Sequence, residues 1–148
     1  LGTGDPYYEG YFKDLEYRHK NKLRVIIAFN QDLSRKIYAS SDIFLMPSKS
    51  EPCGLSQMIA SRYGSIPIVR ETGGLKDSIR DFSSNNGNGH TFSGFDAYDM
   101  LKTILRALHD YQDKDLWNKQ VEMVMNKDFG WSTSAKQYIR MYEEILEK

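Results

Sequence analysis

Several things are scarce in this chain, and each scarcity removes a class of explanation. Among 148 residues there is one cysteine, Cys53, so no internal disulfide can form. A lone thiol fits a reducing compartment, and a cytoplasmic location is expected. There are only three histidines, His19, His90 and His109, and they lack metal-ligand spacing, so no metal site is expected. Net charge is absent: twenty basic residues balance twenty acidic ones. A protein that grips nucleic acid or an anionic bilayer carries a basic footprint, so neither partner is expected. No apolar run approaches the roughly 20 residues needed to span a membrane. An initiating methionine and a leader are also missing, and Leu1-Gly2 reads as the tail of a strand, so the chain is read as trimmed at its start.

What is present suits a folded domain. Hydrophobic residues make up 40% and aromatics 13%, enough to build a core and too much for a disordered chain. Leu23–Ala28, Asp42–Met46 and Ile66–Val69 are short apolar runs followed within two residues by a polar residue or proline, the pattern of strands buried on both faces of a parallel sheet. His90–Phe92 is a further strand candidate after the Ser/Asn/Gly loop at 83–89.

Helical patterns alternate with these runs. Asp5-Pro6 combines a capping carboxylate with proline at the first helical position, and Tyr8, Phe12 and Leu15 then share a face. A second helix is predicted after Asn30, burying Leu33 and Ile37. A third runs from about Leu55 to Tyr63 with Gly64 as its left-handed stop, and a fourth covers Leu75–Arg80. From Asp96 onward the signal is helical only. One helix carries Ala97, Met100, Leu101, Ile104, Leu105 and Leu108. One is capped by Asp113 and carries Leu116, Val121 and Val124. A last one, capped by Ser132, is expected to bury Tyr138, Ile139, Tyr142, Ile145 and Leu146, with Trp131 as a hydrophobic staple. Strand–helix alternation followed by terminal helices indicates an α/β, doubly wound parallel sheet with a helical tail over about 96–148, in one domain spanning 1–148.

In such sheets ligands bind beyond the carboxyl ends of the strands, where helix starts offer free amides. Ser48-Lys49-Ser50-Glu51-Pro52-Cys53-Gly54-Leu55-Ser56 joins one predicted strand to the next helix. Its Gly54 lets backbone approach a ligand, Ser56 adds a hydroxyl, and Glu51 puts a carboxylate at the cleft rim. The plainer reading, in which Glu51 is a dipole-favoured first-turn residue and Gly54 a packing glycine, fits composition alone better. Thr72-Gly73-Gly74-Leu75 repeats the logic one strand later, although for a lone Gly-Gly an ordinary strand-to-helix turn is the safer reading. Phe29 closes the Leu23–Ala28 run, where a ring can stack on a nucleobase but usually packs in a core. Cys53 has no His or Asp motif beside it that would make it a nucleophile.

Leu1-Gly2-Thr3-Gly4-Asp5-Pro6, Asp42–Ser48 leading into Glu51-Pro52-Cys53-Gly54-Leu55, Thr72-Gly73-Gly74-Leu75 with Asp77, and Asp128-Phe129-Gly130-Trp131 together resemble the glycogen and starch synthases, in order and along essentially the whole chain. The resemblance implies the GT-B architecture of two Rossmann-like domains, of which this chain would be the carboxyl-terminal, nucleotide-sugar-binding half without its first strand. It implies transfer of glucose, with retention, from ADP-glucose or less often UDP-glucose to an α-1,4-glucan, with no metal or other cofactor. Glu51 would be the active-site glutamate. Cys53 and Gly54 would offer amides to sugar hydroxyls, Leu55 and Ser56 would start the phosphate-binding helix, and Phe29 would stack on the base.

Phe29 stands where many relatives have tyrosine, and Ile59 stands where many related glycosyltransferases carry a second glutamate that synthases commonly lack. The basic residues that grip the diphosphate, and the acceptor domain, would precede Leu1, so the chain alone is expected to be inactive. Without the first strand, Leu23–Ala28 and Asp42–Met46 are not expected to be neighbours, and exposed strand edges favour self-association. Two rival readings remain at this point, another GT-B transferase and a non-catalytic nucleotide- or glucan-binding module.

Overall fold

The computed structural model describes residues 1–147. They form two compact units, Leu1–Ile37 and Tyr38–Lys148.

The first unit is built on α1 (Pro6–Arg18). The Asp5 carboxylate accepts from the Tyr7 amide at 2.8 Å and Pro6 sits at the first turn, as the sequence predicts. No residue of α1 is buried, and Tyr8 and Phe12 remain exposed. The predicted strand at Leu23–Ala28 does not form. Its backbone finds one partner, a bridge between Gly2 and Ile27 in which the Gly2 amide donates to Ile26 O at 3.1 Å. A strand exists only as part of a ladder, and the described residues offer this run no second rung. α2 (Gln31–Ser40) begins where the Asn30 side chain accepts from the Leu33 amide at 2.9 Å. Leu33 and Ile37 are partly exposed on it rather than buried, because no apolar surface covers them fully.

The second unit holds the sheet: β1 (Ile43–Met46), β2 (Ile66–Arg70) and β3 (His90–Phe92), parallel and in that order. Ile43 pairs with Ile66 and Ile68 with His90. α3 (Ser56–Arg62) and α4 (Gly73–Ser78) are the crossovers, and α5 (Ala97–Gln112), α6 (Lys114–Met125) and α7 (Trp131–Leu146) follow. Successive β2 side chains go to opposite faces. Ile66 packs with Trp117 and Val124 of α6, and Ile68 with Phe92 of β3 and Ala107 of α5. Val69, on the other face, packs with Leu75 and Ile79. A strand covered on both faces must be apolar throughout, which is why Ile66-Pro67-Ile68-Val69 reads as a continuous run.

Local chemistry sets the helix ends. Gly64 closes α3 at φ +84°, and a Cβ there would lie 3.3 Å from Val121 and Met125, so the same glycine lets α6 close on the turn. Asp96 caps α5 by accepting from the Tyr98 and Asp99 amides, and Asp113 caps α6 by accepting from Leu116.

Three further helices depart from expectation. α4 starts and stops two residues earlier than predicted: Ile79 is extended and drawn into the core, while the Ser78 hydroxyl turns back to Gly74 O at 2.6 Å. α5 buries Thr103 and Ala107 and half-buries Met100 and Ile104, leaving Leu101, Leu105 and Leu108 exposed on a second apolar stripe. α7 is capped at Gly130 rather than Ser132, with Asp128 accepting from the Gly130 amide and the Thr133 hydroxyl. Trp131, 85% exposed, staples nothing, and the stripe from Tyr138 to Leu146 stays in solvent because no described element packs on it.

Candidate functional site

The carboxyl ends of β1 and β2 each lead into a short loop and a helix start, and the two loops meet. The Gly74 amide donates to Glu51 O at 3.0 Å. A Cβ on Gly73 would lie 2.2 Å from Glu51 O, and one on Gly74 would lie 2.3 Å from Cys53 O. Only two adjacent glycines allow this backbone-to-backbone approach, and Gly73 also sits at φ +45°. The two segments singled out separately in the sequence therefore form one surface. The Gly74 amide is spent on holding that surface together.

Beyond this junction the loop keeps free donors. Gly54 is left-handed at φ +73°, and Leu55 precedes the first turn of α3 with no side-chain cap. The amides of Gly54 and Leu55 have no partner among the described residues. With the positive end of the helix, these unspent N–H groups make a surface suited to oxygen-rich ligands. Leu55 and Cys53 are exposed, Ser56 is half-buried on the first turn, and Thr72 is half-buried just before α4. The Glu51 side chain is half-buried, and its carboxylate has no hydrogen bond or ion pair among the described residues. It is an acid held in place by its backbone and not consumed by a structural partner.

Side chains that sequence reasoning did not pick out hold these loops. Gln57, fully buried, donates from Nε2 to Gly54 O at 3.0 Å, to Cys53 O at 3.3 Å and to Ser78 Oγ at 3.0 Å. Arg70, at the end of β2, donates to the carbonyls of Ser48 and Lys49 after β1 and to Ser93 O after β3. Its guanidinium also lies 5.3 Å from the Phe95 ring. All its acceptors are neutral, so Arg70 leaves an uncompensated positive charge at the carboxyl end of the sheet. Asn88, buried, joins the Ser78 carbonyl to the Arg80 amide. Gln57 and Arg70 lie beside apolar runs in the sequence, and Asn88 lies in the Ser/Asn/Gly loop at 83–89.

Phe29 belongs to the first unit and is 86% exposed, so its ring is not core packing. No three His, Cys, Asp or Glu side chains are gathered for a metal ion among the described residues, and no described helix is long and apolar enough to cross a membrane.

A second polar cluster occupies the outer edge of β3. Asp81 accepts from the Thr91 amide at 2.8 Å, the Ser83 amide at 3.0 Å and the Arg106 guanidinium. Burial pushes its pKa up, but the bonds from Ser83 and Thr91, joined by Arg106, outweigh burial and hold it at about 2. His90 is fully buried, with neither ring nitrogen hydrogen-bonded. Burial, reinforced by Arg106, lowers its pKa below the ordinary 6.5, against smaller opposing effects of Asp110 and Asp81.

A parallel sheet with both faces covered and two glycine-dependent loops joined at its carboxyl ends is the ligand-binding end of a Rossmann-like unit, and this fold matches the carboxyl-terminal domain of GT-B glycosyltransferases. The chain belongs to the family Glycosyl transferases group 1, whose pattern matches residues 3–124. Among curated relatives it is 51% identical over 150 residues to a glycogen synthase of Clostridium novyi (strain NT), covering 100% of this chain and 31% of that protein. It is 47% identical over 149 residues to a glycogen synthase of Bacillus anthracis, covering 99% of this chain and 31% of that protein. Among solved structures it is similar, at 39% identity and a TM-score of 0.85, to the catalytic domain of starch synthase IV of Arabidopsis thaliana bound to ADP and acarbose, over 99% of this chain and 31% of that one. The chain thus spans about 31% of the length of these relatives.

Proposed function

We propose that residues 1–148 are the nucleotide-sugar-binding domain of a longer, retaining glucosyltransferase that moves glucose from ADP-glucose to the non-reducing 4-hydroxyl of an α-1,4-glucan. The observation that carries this reading is the junction of Glu51–Gly54 with Gly73-Gly74, which puts an unpaired acid and unspent amides on one surface. The relatives named glycogen synthase, and a solved starch synthase described as bound to ADP and acarbose, support this reading.

Glycosyl transfer builds positive charge on the sugar and negative charge on the departing diphosphate. The Glu51 carboxylate favours the first. The amides of Cys53 and Gly54 hold sugar hydroxyls. The helix start at Leu55-Ser56, with Thr72, Gly73 and Gly74 beside it, favours the second. Phe29, through its exposed ring, stacks on the base. Neither metal nor another cofactor is required. The rest of the longer protein supplies the glucan-binding side and further basic groups, so this chain by itself is expected to be inactive. The enzyme works in the cytoplasm, where the exposed Cys53 thiol stays reduced.

The test is transfer by the full-length enzyme with ADP-glucose and with UDP-glucose, on glycogen as acceptor. Glu51→Ala should lower kcat by about 100-fold or more, with the fold intact by circular dichroism. A variant that turns over at the wild-type rate removes Glu51 from the mechanism, and a wild-type enzyme inert on both donors removes the reading altogether.

A further inference from the structure

We infer that Gln57 is a positioning residue, whose carboxamide, acting through Ser78, sets the spacing of the Glu51–Gly54 loop against Thr72–Gly74 and with it the affinity for the sugar donor. The inference rests on the function proposed above.

Burial alone does not explain this side chain. Gln57 is 0% exposed, and its Oε1 has no hydrogen-bond partner. A buried amide with an orphaned acceptor costs stability that an apolar residue of the same length would not cost. Its gain lies on the other side of the carboxamide. Nε2 donates to the carbonyls of Cys53 and Gly54 and to the Ser78 hydroxyl, and that hydroxyl donates in turn to Gly74 O at 2.6 Å.

With the bond from the Gly74 amide to Glu51 O, these contacts close a ring. It runs from Glu51 through the loop to Cys53 and Gly54, across Gln57 and Ser78 to Gly74, and back. Two carbonyls on one loop and a hydroxyl on the other helix share the two hydrogens of a single NH2 group, so at least one N–H is bifurcated. Gly54 has room for this geometry because it lacks a side chain: a Cβ there would fall 2.6 Å from Gln57 Oε1. The ring fixes how far the unspent amides of Gly54 and Leu55 stand from Thr72. A donor that contacts both loops reads that distance, whereas a glucan acceptor does not.

The experiment compares Gln57→Met, Ser78→Ala and Ser78→Thr in the full-length enzyme, with KM for ADP-glucose, KM for glycogen, kcat and circular dichroism as readouts. Gln57→Met keeps the length and removes the donors. It should raise KM for ADP-glucose roughly tenfold, the scale of one or two lost hydrogen bonds, and leave KM for glycogen within about twofold. Ser78→Ala should move donor KM the same way and Ser78→Thr, which restores a hydroxyl, should recover most of it. If Gln57→Met fails to fold, the two Ser78 variants decide by the same criterion. Donor KM unchanged in folded variants, or donor and glycogen KM rising together, overturns the inference while leaving the proposed function standing. A wild-type enzyme that transfers no glucose overturns both.

Discussion

The two units of this chain have similar sequence signals and different outcomes. Residues 1–37 contain a capped, proline-started helix and a run of β-branched and apolar residues, yet none of them is buried and the run forms a single bridge. Between Ala60 and Val124 lies every fully buried hydrophobic side chain of the described residues. Helix α1, like α5, starts at an aspartate cap, and Leu23–Ala28 is as apolar as β2. What separates them is company: β2 has β1 and β3 on either side and helices on both faces, whereas Leu23–Ala28 has Gly2. Caps and propensity define where an element starts, and burial of its apolar face supplies most of its stability. The stripe of α7, apolar and exposed, makes the same point inside the second unit.

The comparison breaks most easily by truncating one side chain in each unit. Leu75, fully buried against Val69 and Ile79, should cost about 2–5 kcal/mol on replacement by alanine, as large-to-small core changes do. Phe12→Ala, on an exposed face of α1, should cost less than about 1 kcal/mol of global stability. Urea unfolding of the chain measures both. Equal costs would mean that the first unit contributes a core of its own.

Much of this division was legible in the sequence, and the remainder has a common cause. Asp5, Asp96 and Asp113 announce their helices because a cap is read within three residues, and Gly64 announces its stop for the same reason. β1 and β2 are legible as uninterrupted apolar runs, and β3, His90-Thr91-Phe92, only by its place after the 83–89 loop. The turn chemistry of Glu51–Ser56 and Thr72–Gly74 marks both loops of the candidate site. That the Gly74 amide would bond Glu51 O, and that Gln57, Arg70 and Asn88 would hold the loops, was not legible. Gln57 reaches Ser78 and Arg70 reaches the other two loops across 21 or more residues, Asn88 reaches back 8 and 10, and a local pattern assigns such residues to solvent. The overestimated burial of α7 and of Leu23–Ala28 has the converse cause: periodicity reports which face is apolar and says nothing about whether a partner is there.

The next contrast is electrostatic. The second unit carries a buried polar edge at β3, and acid should destabilise it in two steps. His90 has a folded pKa below its ordinary 6.5, so the fold prefers the neutral ring, and stability falls as pH drops below 6.5 towards the folded value. Asp81 is held at about 2 against an ordinary 3.8, so its contribution is complete above pH 3.8 and is lost between 3.8 and about 2. That second loss amounts to about 2 kcal/mol. Asp81→Asn should remove the lower step from a stability-versus-pH curve and leave the upper one. A curve flat from pH 4 to 2 in the wild-type chain would show that the carboxylate is not held by Thr91, Ser83 and Arg106 as the geometry requires.

The smallest effect is the sharpest comparison, because it places the same chemistry in both units. Asp5 accepts from the Tyr7 amide at the start of α1, and Asp96 accepts from the Tyr98 and Asp99 amides at the start of α5. Replacing an aspartate cap by alanine removes about 1 kcal/mol from its helix in either place. In α5 that helix is packed on β2 and β3 through Ala107, Met100 and Ile104, so unfolding it means opening the core, and Asp96→Ala should lower global stability by nearly the whole amount. In α1 nothing is buried, so the helix can fray without disturbing the core. Asp5→Ala should therefore leave the global unfolding midpoint where it is and instead speed hydrogen exchange of the α1 amides alone. A midpoint shift equal to that of Asp96→Ala would mean that α1 unfolds together with the sheet.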